Sequence, residues 1–154
     1  MSHEDLVLFG RVGLAFALCF GIGFERLLRG APAGDRTFAL VGTAAAAVSA
    51  VTVGPAPQAI GGVMTGVGFI GAGLVLRGDR GMIRGITSAA ALFAATGIGI
   101  VAGTGHPWLA VFVALLTIVD LELRYMPGLN RLDAHRYADR MADDSDDGPP
   151  GGTG

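Results

Sequence analysis

The chain has 154 residues, 51% of them hydrophobic and 16% charged, with a net charge of -2 and a mean hydropathy of +0.56. That balance excludes an ordinary water-soluble domain and gives no reason to expect nucleic acid as a partner. A single cysteine, Cys19, excludes a disulfide framework or a cysteine metal site within one chain, and His3, His106 and His135 are too scattered to hold zinc.

Leu6 to Phe24 is apolar apart from Arg11, and its 19 residues suffice to cross a hydrocarbon core of about 30 Å. Met1–Asp5 is acidic rather than basic, so this first span is expected to stay in the mature protein and not to act as a signal peptide. Arg11 is expected to snorkel toward water and Glu4-Asp5. Thr37 to Leu76 carries no charge and is too long for one crossing, and Gly54-Pro55-Ala56-Pro57 supplies a turn within it. Spans two and three are therefore predicted at 37–53 and 58–76. Gly103-Thr104-Gly105-His106-Pro107 divides the next charge-free tract in the same way, giving spans at 85–102 and 107–125. Trp108 and Tyr125 fall where interfacial rings are expected. The reading is an all-α membrane protein, a bundle of about five transmembrane helices over residues 1–126, followed by a polar, acidic, disordered tail over 127–154.

Residues 61–76 carry six glycines. Within them Gly66-Val67-Gly68-Phe69-Ile70-Gly71 matches the dinucleotide-binding fingerprint, but the acid required about 20 residues on is absent, and alanines stand there instead. The alternative is a helix in lipid, where small residues let backbones approach closely. Gly62, Gly66, Gly68, Gly71 and Gly73 are then helix-packing positions, span three is central, and contacts with a second copy of the chain compete with internal ones. All basic residues are arginine, and ten of the eleven fall on one side of the membrane if there are five crossings. The positive-inside rule then puts the N-terminus out and the C-terminus in the cytoplasm. Two loops with similar flanks, Gly23-Phe24 to Asp35-Arg36-Thr37 and Gly68-Phe69 to Arg77-Gly78-Asp79-Arg80, each lead into an alanine-rich helix and suggest a degenerate parallel repeat of two helical hairpins.

Gly23-Phe24-Glu25-Arg26, Pro32-Ala33-Gly34-Asp35-Arg36-Thr37, residues 66–73 and Gly85-Ile86-Thr87-Ser88-Ala89-Ala90 resemble, in order and spacing, the MgtC/SapB family of bacterial membrane proteins. The resemblance covers roughly residues 5–122. It implies a multi-pass protein of the bacterial plasma (inner) membrane, tied to survival at low magnesium and in some pathogens to persistence inside host cells. It also implies a regulator, including of the membrane ATP synthase, more than a magnesium pump. Asp35, Phe38, Gln58, Gly62 and Phe93 depart from the family's usual residues, and residues 124–154 are expected to be too few and too polar to form the soluble C-terminal domain of longer members.

Charges in or near a bundle are expensive unless paired, so Glu25, Arg26, Asp35, Arg36 and Thr37, with Thr87 and Ser88, form a candidate polar site at the cytoplasmic mouth. Glu25 is expected to pair with Arg36 or Arg26; an interfacial salt-bridged loop without a ligand is the equal alternative. Other hydroxyls inside the helices, such as Thr43, Thr65 and Thr96, are expected only to bond back to the carbonyl one turn earlier. Asp79, Asp120 and Glu122 are potential magnesium ligands that no spacing draws together, so at most weak magnesium binding is expected, with no other cofactor. No catalytic motif is present. The function expected is a non-enzymatic regulator of ion homeostasis, with lipid, another membrane complex or a second copy as partners; the alternative is a small magnesium or other cation transporter.

Overall fold

The computed structural model describes residues 2–75 and 85–123, and among these every regular element is a helix. They are α1 (His3–Leu28), α2 (Asp35–Thr52), α3 (Gln58–Val75), α4 (Ile86–Gly103) and α5 (Pro107–Leu123). The charge-free tracts predicted α2, α3 and α4 to within two residues at each end, because turn residues interrupt them where helices stop. Three helices, α1, α3 and α4, are long and apolar enough to cross a membrane. Leu76, Arg77, Asp79, Arg80, Arg84, Tyr125 and the expected tail lie outside the described residues. One compact unit runs to Ile118.

The start of α1 is set by a capping box. The Asp5 amide donates to the Ser2 hydroxyl at 3.2 Å, and the Ser2 amide donates to the Asp5 carboxylate at 2.8 Å, which satisfies two of the amides a helix start leaves unpaired. α1 then runs past its predicted end through Glu25 and Arg26 to Leu28. Its outer face is a ladder of phenylalanines, with Phe16, Phe20 and Phe24 one turn apart and ring centroids 5.9 and 6.2 Å apart. Phe69 is 84% exposed and Trp108 85%, and apolar exposure of this kind is stable against lipid tails, not water.

The core lies where α1, α2 and α4 meet. α2 and α4 run parallel and touch through small residues: a Cβ placed on Gly99 would strike the Gly42 carbonyl oxygen, and one on Gly103 would strike the Ser49 hydroxyl and the Ala46 carbonyl. Gly42 in turn faces Cys19 of α1, whose thiol donates to the Ala95 carbonyl at 3.4 Å. Ser49, fully buried, donates to the carbonyls of Ala46 and Ile100 at 3.1 and 3.3 Å. Without Cβ atoms at Gly42 and Gly99 the two backbones approach closely enough for dispersion contacts along both helices.

α3 is not central, contrary to the sequence expectation. Only Val67 and Gly71 are buried on it. Gly71 lies 3.5 Å from the Ala89 side chain, measured from a placed Cβ, whereas Gly62, Gly66, Gly68 and Gly73 face open space within the chain. The number of glycines signalled a crowded helix, but what crowds a helix is the alignment of small residues on a face that another helix covers. Arg11 also departs from expectation: it donates to the Gly103 carbonyl at 3.3 Å and so caps the end of α4.

Two outcomes follow. Gly99→Ala lowers stability in detergent by about 1–3 kcal/mol, the cost of overpacking, while Gly66→Ala stays within about 0.5 kcal/mol; unfolding followed by circular dichroism separates them. The hydrogen bonds from the Ser2 amide and hydroxyl hold Asp5 below the usual aspartate range. Its contribution is therefore present above the ordinary aspartate pKa and lost as pH falls through the lowered one. Hydrogen exchange in the first turn of α1 rises in that acid window, and Asp5→Asn removes the transition.

Candidate functional site

Glu25, Arg26, Arg29, Asp35 and Arg36 gather at one end of the described bundle. α1 finishes there and α2 begins, and between them residues 29–34 make a tight turn in which the Ala31 amide donates to the Arg26 carbonyl at 3.0 Å. A Cβ on Gly23 would lie 2.7 Å from the Asp35 Cα, so the first residue of α2 rests directly on α1. Arg26 follows Gly23 on the same face as Cys19 and Ile22, the face that α1 buries. Consequently Arg26 is only 8% exposed.

Its partner is Glu25. The carboxylate lies 3.9 Å from Arg26 Nη1 and 3.5 Å from Arg29 Nε, with 14% of the Glu25 side chain exposed. These are ion pairs without hydrogen bonds: both Glu25 oxygens and Arg26 Nε are buried and unbonded. Of the two partners expected for Glu25, the neighbour Arg26 is the one found, joined by Arg29. Arg36 is exposed and makes no ion pair among the described residues. A buried polar atom without a hydrogen bond costs about 1–3 kcal/mol, so this cluster is the most polar and least satisfied place in the described core.

The hydroxyls divide as their positions dictate. Thr43, Thr65 and Thr96 donate to the carbonyls of Ala39, Gly61 and Leu92 at 2.7, 3.0 and 2.9 Å, the back-bonding that mid-helix hydroxyls adopt. Thr37 and Ser88, each the third residue of its helix, make no such bond. Ser88 is buried at 2% exposure, and Thr87 beside it is exposed. Register places Ser88 toward the same end of the bundle as the ion pair. Arg11 meets Gly103 and Cys19 meets Ala95, equal steps along antiparallel helices, and seven residues further lie Arg26 and Ser88.

Glu25 and Arg26 are thus paired near Asp35, whose Cα rests on Gly23, while Ser88 is buried in the first turn of α4 and Arg36 and Thr87 are exposed. Asp79 lies outside the described residues. Among the described residues no three His, Cys, Asp or Glu side chains cluster as a metal site. Sequence reasoning passed over Arg29 as a partner of Glu25, although the spacing of four on one helix was a readable signal. It also passed over Ser49, whose interhelical bond has no such local signature.

Sequence comparison places this chain among relatives. Residues 12–126 match the MgtC family. A protein of Escherichia coli, YhiD, is 36% identical over 136 residues, covering 80% of this chain and 61% of its own length. The MgtC protein of Salmonella typhimurium is 44% identical over 112 residues, covering 68% of this chain and 48% of its own. SapB of Bacillus subtilis is 28% identical over 134 residues, covering 79% and 57%. The chain therefore spans less than two thirds of the length of these relatives. No solved structure matches it.

Glu25→Gln leaves Arg26 as a buried charge without a counter-ion and lowers stability by on the order of 3 kcal/mol. The double variant Glu25→Gln with Arg26→Gln recovers part of that loss. Equilibrium unfolding of the four members of the cycle checks the coupling; purely additive losses would show that the pair does not interact.

Proposed function

This chain belongs to the MgtC family, and on that premise we propose that it is a multi-pass protein of the bacterial plasma membrane that regulates magnesium homeostasis or another membrane complex, such as the ATP synthase. In this reading it acts by contact and catalyses no reaction. The observation that carries it is the placement of charge. Residues 37–75 and 85–119 contain no Asp, Glu, Lys or Arg, and the polar groups buried in the described core are Arg26, Ser49, Ser88 and Thr96. Cation transporters commonly hold carboxylates within the membrane, and this bundle offers Glu25 at one end, already facing two arginines.

The positive-inside rule supports an orientation with Arg26, Arg29 and Arg36 in the cytoplasm and the N-terminus outside. Five crossings fit that orientation. The name of the Escherichia coli relative, which marks it as a proposed magnesium transporter, favours the second reading, a small cation transporter, in which backbone carbonyls replace carboxylates along the path.

Purified protein reconstituted in liposomes with a magnesium-sensitive dye passes no magnesium above the leak of empty vesicles. A saturable flux that Glu25→Ala abolishes would replace the regulator with the transporter. Cross-linking in native membranes under magnesium limitation captures a second membrane complex; recovery of self-oligomers alone counts against regulation by contact.

A further inference from the structure

We propose that residues 24–34, the end of α1 and the turn that follows it, form a flap that opens as a unit and carries the Glu25–Arg26 pair from a dry setting into water. The two ends of this segment are pinned to each other. A Cβ placed on Gly23 would lie 2.7 Å from the Asp35 Cα and 2.8 Å from the Phe38 Cβ, so α1 and α2 meet closely at the neck. Beyond the neck the segment closes on itself. The amides of Arg29, Gly30 and Ala31 donate to the carbonyls of Glu25, Leu27 and Arg26 at 3.1, 3.0 and 3.0 Å, and Leu27 packs on Gly34, 3.4 Å from a placed Cβ. A neck that holds while the flap moves leaves the seam of α1, α2 and α4 undisturbed.

The closed flap carries a cost found nowhere else among the described residues. Both Glu25 oxygens and Arg26 Nε are buried and unbonded, and the opposite charges stand 3.9 and 3.5 Å apart. Attraction in such a pair does not repay the desolvation of its charges unless hydrogen bonds satisfy them as well. All three atoms regain a hydrogen bond once water reaches them. Rotation of α1 cannot bring that about, because Gly23 is clamped against α2; unwinding beyond Gly23 can. The sequence favours unwinding there, since Gly21 and Gly23 are poor helix formers close to the pair. Gly30, at φ 67°, already turns the chain through the left-handed region.

What holds the flap shut is apolar and small. Ala33 is 2% exposed and Leu27 covers Gly34, whereas Leu28, 71% exposed, adds little. Three unsatisfied polar atoms oppose these contacts, so the closed and open forms lie close in free energy, the condition for a conformational switch.

Thiol labelling reads the opening. Full-length Ala33→Cys is treated with N-ethylmaleimide in nanodiscs of phosphatidylcholine and phosphatidylglycerol, and Cys19, buried in the seam, is the control within the same molecule. Position 33 labels about tenfold or more faster than Cys19, because the flap opens without the seam. Adding Glu25→Leu with Arg26→Met, which fills the same space without charge, slows that labelling by about tenfold. Adding Glu25→Gln, which leaves Arg26 buried without its counter-ion, speeds it by a similar factor. Labelling no faster than that of Cys19, or a rate that the folded apolar pair leaves unchanged or raises, overturns the flap. Should the apolar pair fail to keep its helicity, Glu25→Gln decides, an unchanged rate counting against the flap. Hydrogen exchange of the unaltered protein gives a second reading. The amides of residues 27–31 exchange at one shared rate, and a gradient running inward from Leu28 would mean ordinary fraying and sink the idea. The inference stands apart from the regulator reading, since a magnesium flux would neither create nor remove the opening.

Discussion

The close crossing of α2 and α4 is the contact on which the rest of the bundle depends. Lipid tails are as apolar as leucine, so helices in a bilayer gain little by burying apolar area against each other; close packing and interhelical hydrogen bonds must hold them. Gly42 and Gly99 meet that requirement, and Ser49 adds a hydrogen bond across the seam to the Ile100 carbonyl. α1 then fits against both, with Cys19 on Gly42 and Ala95, and Arg11 on the end of α4. Three helices are thereby locked in register along most of their length.

That register has a consequence at the end of α1. A helix clamped to its neighbours through Cys19 and Gly23 cannot rotate to release the next residue on the same face, and that residue is Arg26. An arginine with a free choice would snorkel to the interface. Here packing holds the guanidinium in the bundle end, with Glu25 beside it at ion-pair distance and not in hydrogen-bond geometry. The unsatisfied polar atoms at this level are therefore a product of the tight seam one and two turns away, maintained by contacts that have nothing to do with charge.

Helix positions were legible in the sequence because two physical signals agree there: charge-free length and turn residues. Glu25 and Arg26 were legible as a costly pair for the same reason, since charge beside an apolar span needs an explanation. The core was less so. Residues 61–73 drew attention by counting glycines, yet Gly42, Gly99 and Gly103 make the contacts. In α4 the signal was present as a period of four, Ala91, Ala95, Gly99 and Gly103, all buried, whereas the small residues of α3 spread over several faces. Which of two small-residue faces is covered depends on the neighbouring helix, and no single helix encodes that. Arg11 shows the same limit: its nearest acids in sequence are Glu4 and Asp5, but its partner is a carbonyl 92 residues away.

The placement of charge in the bundle constrains both functional readings together. A path for a divalent cation must lower the cost of desolvation along its whole length, and carboxylates or convergent carbonyls are the groups that do so. The described interior has no carboxylate along its apolar spans, and its polar side chains of α2 and α4 are mostly turned onto their own or adjacent carbonyls, as Thr43, Ser49 and Thr96 are. Both readings must therefore work with a bundle in which the one charged residue buried among the described residues is Arg26.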